Sequence, residues 1–154
     1  MVFGLFSKEK ALQRTIDKAT NKLAQQPDRW AAMEKLRDDG SDAALYGLCR
    51  RFTITSSKQV EDEAEKNWVV ETLIGKGAAA LPAVRRYLLE ELHIAFALKV
   101  LERIAPTAQV LEVVDQVLAK EPPGYTRDPE RRVDLIRWLG EYRGADDAEV
   151  ARRL

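Results

Sequence analysis

The sequence predicts an all-α protein, an elongated array of paired helices with no sheet. Three observations carry that expectation. Apolar residues recur three and four positions apart along most of the chain, the period of one helical face. No segment alternates polar and apolar residues with the period of two that a half-buried strand requires. Breaks at Gly40, Gly77 and Gly144, with Pro106 between them, return every roughly 30–40 residues, the spacing of two-helix repeats. A helix pair of that size cannot bury its apolar stripe alone, so successive pairs must stack.

Taken in order, Leu12, Ile16, Ala19 and Leu23 stripe a helix from Lys8 to Gln26, with Ser7 as N-cap and Pro27 ending it. Asp28 caps a second helix through Arg37 that carries Trp30, Met33 and Leu36, and Gly40 stops it. Ser41 opens a third, striped by Ala44, Leu45, Leu48, Cys49 and Phe52. The hydroxyl-rich run from Thr53 to Lys58 reads as a loop. Helix resumes near Val60, where Glu61, Asp62 and Glu63 suit the positive end of the helix dipole. Trp68, Val69, Leu73 and Ile74 form its buried part, and Gly75 and Gly77 close it.

The pair from Ala79 to Ile104 begins with Pro82 in a first turn, where its missing N–H costs nothing. Leu81, Val84 and Leu88 stripe the first helix, and Ile94, Ala97, Leu98, Leu101 and Ile104 the second. After Pro106, a helix from about Thr107 to Ala119 carries Val110, Leu111, Val114, Val117 and Leu118. The one long irregular stretch runs from Lys120 to Asp128. Asp128 and Pro129 then start a helix expected to bury Val133, Ile136, Leu139 and Trp138. Gly144 breaks it, and Asp146 begins a last helix.

Composition bounds the class. With 154 residues, 45% of them hydrophobic and 32% charged, the chain has the makings of a folded domain, not a disordered one. Lys+Arg and Asp+Glu are equal at 25 each, so the positive excess of a typical nucleic-acid binder is missing and only a local basic face could serve. Cys49 is the single cysteine, which rules out an internal disulfide and points to a reducing, cytoplasmic setting. No apolar run approaches the ~20 residues of a membrane span. The opening residues lack the pattern of a secretory leader, and Val2 stands where myristoylation needs glycine. Phe3, Leu5 and Phe6 would anchor only weakly to a membrane, and packing as a cap on the first repeat is the commoner use. Residues 1–27 are accordingly expected to form a capping helix and 28–154 the repeats.

The segment Ala80-Leu-Pro-Ala-Val with Leu88, followed by Ala97-Leu, Leu101 and Ile104, resembles the two helices of a HEAT repeat. The likeness is to the short bacterial HEAT-like type related to phycobilisome-lyase repeats. Asp128-Pro-Glu-Arg-Arg-Val-Asp-Leu-Ile-Arg-Trp-Leu-Gly resembles that family's second helix, with Asp134-Leu in place of the usual small residue. Ala31-Ala-Met-Glu-Lys-Leu-Arg-Asp-Asp-Gly is a weaker copy. The match runs from about Asp28 to Leu154. It implies a right-handed α-solenoid that binds proteins along a concave or edge surface. The last helix, from Asp146 to Leu154, has Val150 and Leu154 but no partner helix after it, which predicts an open C-terminal face continued by further repeats of a longer protein, another subunit or a second copy.

Residues that could carry chemistry fit ordinary structural roles. His93 is the only histidine and has no nucleophile beside it in sequence. Cys49 lies on an apolar stripe and reads as a small hydrophobe. The acidic cluster from Glu61 to Glu65 lacks the glycine turn of a calcium loop, and no glycine group has phosphate-loop spacing. Trp30, Trp68 and Trp138 read as core. No catalytic residue, metal or cofactor is expected. Arg85, Arg86, Arg131 and Arg132, with Arg137 and Arg143, recur at comparable places and could line one face for an acidic peptide or a nucleic-acid backbone, or else be solvated surface charge. Tyr125 and Arg127 sit on the long loop, where an aromatic and a cation could make a specific contact or only pack the loop down. The expectation is a non-catalytic scaffold for a protein partner. Nucleic-acid or acidic-partner binding through the arginines is the alternative. A lyase-like role toward a chromophore protein would need a cysteine-directed or tetrapyrrole site that the sequence does not display.

Overall fold

The computed structural model describes residues 2–154, without the side chains of Val2, Phe3 and Leu5, so the expectation for Phe3 and Leu5 lies outside the described residues. Phe6 is 55% exposed. The chain is all-helical, with no strand among the described residues. Its helices are α1 (Val2–Ala19), α2 (Gln26–Asp39), α3 (Asp42–Cys49), α4 (Gln59–Lys76), α5 (Leu81–Glu90), α6 (Ala95–Ile104), α7 (Thr107–Ala119), α8 (Glu130–Glu141) and α9 (Asp147–Ala151). Short 3₁₀ turns, Arg50–Thr53 and Gly77–Ala80, extend α3 and introduce α5. No described helix is long and apolar enough to cross a membrane.

The helices touch in two interleaved series. In the odd series α1 packs on α3, α3 on α5 and α5 on α7; in the even series α2 packs on α4, α4 on α6 and α6 on α8. Chain neighbours such as α1 and α2, α2 and α3, and α5 and α6 join the two series. The buried side chains form one continuous cluster from Ile16 on α1 to Val150 on α9. Each short helix therefore buries its apolar stripe on a sequence neighbour and on the helix two further along.

Several ends follow the expected chemistry. Gly40 takes a left-handed φ of 66° and its N–H bonds the Leu36 carbonyl at 3.2 Å, a conformation that glycine adopts without Cβ strain. Ser41 Oγ accepts the Ala44 N–H at 3.2 Å. Asp146 and Glu149 form a reciprocal capping box at α9.

The first boundary differs from the sequence expectation. α1 ends at Ala19, and Leu23 is 85% exposed instead of continuing the stripe. Thr20 Oγ1 donates to the Ile16 carbonyl at 2.8 Å and Asn21 Oδ1 accepts the Leu23 N–H at 3.0 Å, so local side chains take over backbone bonding and turn the chain. The Arg29 guanidinium, which donates to the Asn21 and Ala24 carbonyls, pins that turn. Pro27 consequently opens α2, and a boundary at residue 27 would cut that helix. α1 packs against both α2 and α3, as a member of the odd series.

α8 is rotated from the expected face. Val133 and Ile136 are each 46% exposed, while Leu135, Trp138 and Leu139 are buried. Two polar contacts set the rotation: Asp134 Oδ2 accepts the Ile94 N–H at 3.0 Å, and Arg131 Nε donates to the Glu91 carbonyl at 2.8 Å. Asp128 does not cap this helix; Pro129 holds the N-cap position without a side-chain bond.

Gly47 shows how tightly α3 fits. A Cβ there would lie 2.6 Å from Ile16 Cγ1 and 2.9 Å from its Cδ1. Gly47→Ala should gain up to about 1 kcal/mol of helix propensity yet lose about 1–3 kcal/mol to overpacking, so a net loss is expected. In an Ile16→Ala background the same change should cost less, and equal cost in both backgrounds by urea denaturation would show that α1 yields freely.

Candidate protein-interaction edge

The C-terminal ends of α3, α5 and α7 meet the start of α8 along one edge, where the α5–α6 turn and the loop of residues 120–129 lie. On α3 and α5, the Tyr46 hydroxyl donates to Glu90 Oε2 at 2.9 Å, and the Arg86 guanidinium stands 3.8 Å over the Tyr46 ring while its Nε donates to Glu90 Oε1 at 3.3 Å. The Tyr46 hydroxyl foremost, then Arg86, outweigh desolvation and hold the Glu90 carboxyl below its ordinary value. Burial and the Glu90 carboxylate together push the Tyr46 phenol up. Arg50 at the end of α3 pairs with Glu91 at 3.7 Å.

Two adjacent arginines staple the turn and the loop to α8. Arg131 donates to the Glu91 carbonyl, and its Nη1 lies 3.6 Å from Glu121 Oε1. Arg132 donates to the Gly124 carbonyl at 2.6 Å and the Pro122 carbonyl at 2.7 Å. Lys120 Nζ reaches the Leu89 carbonyl at 3.0 Å. The loop is thus held at both flanks of its Pro-Pro-Gly, and Tyr125, the residue after Gly124, projects from it at 96% exposure. Arg127 is exposed beside it, and Leu92 and His93 are exposed on the α5–α6 turn. His93 serves the fold through its backbone, its carbonyl accepting the Tyr87 hydroxyl at 2.8 Å.

Of the six residues singled out from sequence, Arg86, Tyr125, Arg127, Arg131 and Arg132 belong to this edge. Their roles differ. Arg131 is buried and holds a carbonyl of the α5–α6 turn, Arg132 is half-buried and holds loop carbonyls, so they position the surface more than they present it. Arg85 is exposed on α5 nearby. The arginines do not form one stripe: α5 lies in the odd series and α8, with Arg137, in the even one. The edge nonetheless carries a small cationic excess in a neutral chain, with Arg50, Arg86, Lys120, Arg127, Arg131 and Arg132 against Glu90, Glu91, Glu121, Asp128 and Glu130.

Cys49 is fully buried, and burial pushes its thiol up to about 12, so it is a packing residue. The acidic start of α4 has a role the sequence reading missed. Glu65 is buried between two guanidinium groups, accepting from Arg29 Nε at 2.7 Å and Arg51 Nε at 3.4 Å. Asp62 accepts from Arg51 at 2.8 Å and lies 2.8 Å from Lys66 Nζ. A signal existed: stepping back from Leu73 and Val69 by helical periods lands on Lys66, Glu65 and Asp62, which places those charges on the buried face.

For Asp62, burial alone would push the carboxyl up, but Lys66, Arg51 and the Ser56 N–H together hold it below its ordinary value. A carboxyl with a lower pKa folded than unfolded stabilises the protein above the unfolded value, about 3.9, and that contribution is lost as pH falls through the folded value. Asp62→Asn is therefore expected to flatten the decline in unfolding free energy below about pH 4. An unchanged acid slope would show that other carboxylates govern it.

No protein-family model matches the chain, and comparison with curated proteins and with solved structures likewise yields no match.

Proposed function

We propose that this protein is a non-catalytic helical-repeat scaffold, HEAT-like in its arrangement, that binds a protein partner along the cationic edge. The odd and even contact series support the repeat reading, because stacked helix pairs touch their neighbours in that order. One observation carries the binding reading: Tyr125 is 96% exposed on a loop that two arginine–carbonyl bonds hold in place. A large aromatic on a pre-organised loop, with a cation beside it, is the kind of group that anchors interfaces, because little conformational entropy is lost on docking. The surrounding cations favour an acidic segment on the partner.

The test replaces Tyr125 by a photo-crosslinking phenylalanine analogue in the native cell. A discrete protein adduct is expected from position 125, lost when Arg127→Glu is added, and absent when the analogue stands at Gln13, exposed on α1. Adducts identical from both positions, or nucleic acid alone in the adduct, would overturn the reading. Because Tyr125 packs on nothing, Tyr125→Ala should change stability by no more than about 0.5 kcal/mol, so loss of binding would not reflect unfolding.

A further inference from the structure

A second surface, at the other end of the chain, has the opposite electrostatic character. Between α2 and α4 lies a groove of about 530 Å³ lined by Gln26, Pro27, Trp30, Ala31, Glu34 and Ala64. Its floor is apolar and its wall is an indole. Trp30 is only half-buried, its ring 5.4 Å from that of Trp68 at 50°. Val60, four residues before Ala64 on the same side of α4, is 81% exposed and extends the apolar strip.

Two features say what chemistry this groove accepts. The fold already places one cation on this aromatic pair: the Arg37 guanidinium sits 5.5 Å over the Trp68 ring. Trp30 has no such cation among the described residues, and beside it in the groove is Glu34, which forms no ion pair among the described residues. Lys35, the next residue, lines the groove between α1 and α2 instead, so it does not neutralise Glu34 from within this one. An indole face next to an uncompensated carboxylate attracts a guanidinium or ammonium group, and the Pro27, Ala31 and Ala64 surface favours apolar side chains around it.

We infer that the α2–α4 groove docks a basic amphipathic peptide segment, with one Lys or Arg side chain over Trp30 and against Glu34. This goes beyond the scaffold reading and does not depend on the Tyr125 edge, since the two surfaces attract segments of opposite charge.

Fluorescence anisotropy with two short labelled amphipathic peptides, one of leucine and lysine and one of leucine and glutamate, tests it on the full chain. The leucine–lysine peptide is expected to bind and the leucine–glutamate peptide not. Glu34→Gln should weaken the former about fivefold, the size of one exposed cation interaction, and Glu34→Arg should weaken it further. Glu112→Gln, at an exposed carboxylate on α7, should leave it unchanged, as should Tyr125→Ala. Equal binding of both peptides, or equal weakening by Glu34→Gln and Glu112→Gln, would overturn the proposal. Failure of the crosslinking at Tyr125 would leave this result untouched.

Discussion

Glu65→Ala is expected to destabilise the protein by about 3–5 kcal/mol, measured by urea denaturation, because it removes the buried carboxylate that Arg29 grips and Arg51 shares, leaving Arg29 only the more distant Glu61 and Arg51 only Asp62. Glu65 is 0% exposed, and Arg29 and Arg51 are 2% and 0% exposed. Arg29 grips it through Nε at 2.7 Å and Nη2 at 3.1 Å, a bidentate geometry that makes the bond directional as well as ionic. Neither arginine can be relieved by losing its proton, and the hydrogen bond that Arg29 donates to Glu65 is the foremost cause that raises the Arg29 pKa. The cluster also reaches three parts of the fold: α2 through Arg29, the 3₁₀ turn after α3 through Arg51, and α4 through Glu65. By contrast the Arg153–Asp115 pair, in which Asp115 is 54% exposed, should contribute less than about 1 kcal/mol when Asp115→Ala removes it. A similar loss at both sites would mean that water reaches Glu65.

Tyr87→Ala should cost a comparable amount, about 3–5 kcal/mol, and Tyr87→Phe only about 1 kcal/mol. The ring is 0% exposed and meets Phe52 edge-on, with centroids 5.9 Å apart and planes at 80°. The alanine variant leaves a cavity where the end of α3 meets α5. The phenylalanine variant keeps the packing and removes only the bond from the hydroxyl to the His93 carbonyl, which fixes the α5–α6 turn. If the two variants were equally destabilised, the hydroxyl bond and not the ring would be holding this joint.

The two results separate features that were visible in the sequence from one that was not. Tyr87 stands beside Leu88 on the helix striped by Leu81, Val84 and Leu88, so its helical context follows from periodicity even though the stripe read from sequence did not include it. Glu65 stands in a run of carboxylates at a helix start, a pattern that normally faces solvent. Its burial depends on Arg29 and Arg51, which come from two other elements. The candidate edge divides in the same way. Tyr125 and Arg127 were legible as residues of a long loop rich in proline and glycine. That Arg131 and Arg132 hold the loop and turn carbonyls was not legible, because adjacent arginines at a helix start look the same whether they bind a partner or their own backbone. Trp30 likewise reads as core from spacing alone, and only its half-buried setting beside Glu34 gives it a surface role.

Helix content, the glycine and serine caps around position 40, and the apolar faces of α3, α5, α6 and α7 were determined by the sequence alone, because each depends on groups within a few residues of one another. The end of α1, the rotation of α8, the ion cluster beneath α4 and the composition of both candidate surfaces were decided only by tertiary structure. Each of those turns on a charged or amide side chain meeting a group many positions away: Arg29 with the Asn21 turn and Glu65, Asp134 with Ile94, and Arg131 with Glu91. A long polar side chain can satisfy itself on water, on its own helix or on a distant carbonyl, and local pattern does not distinguish these ends until the helices have packed.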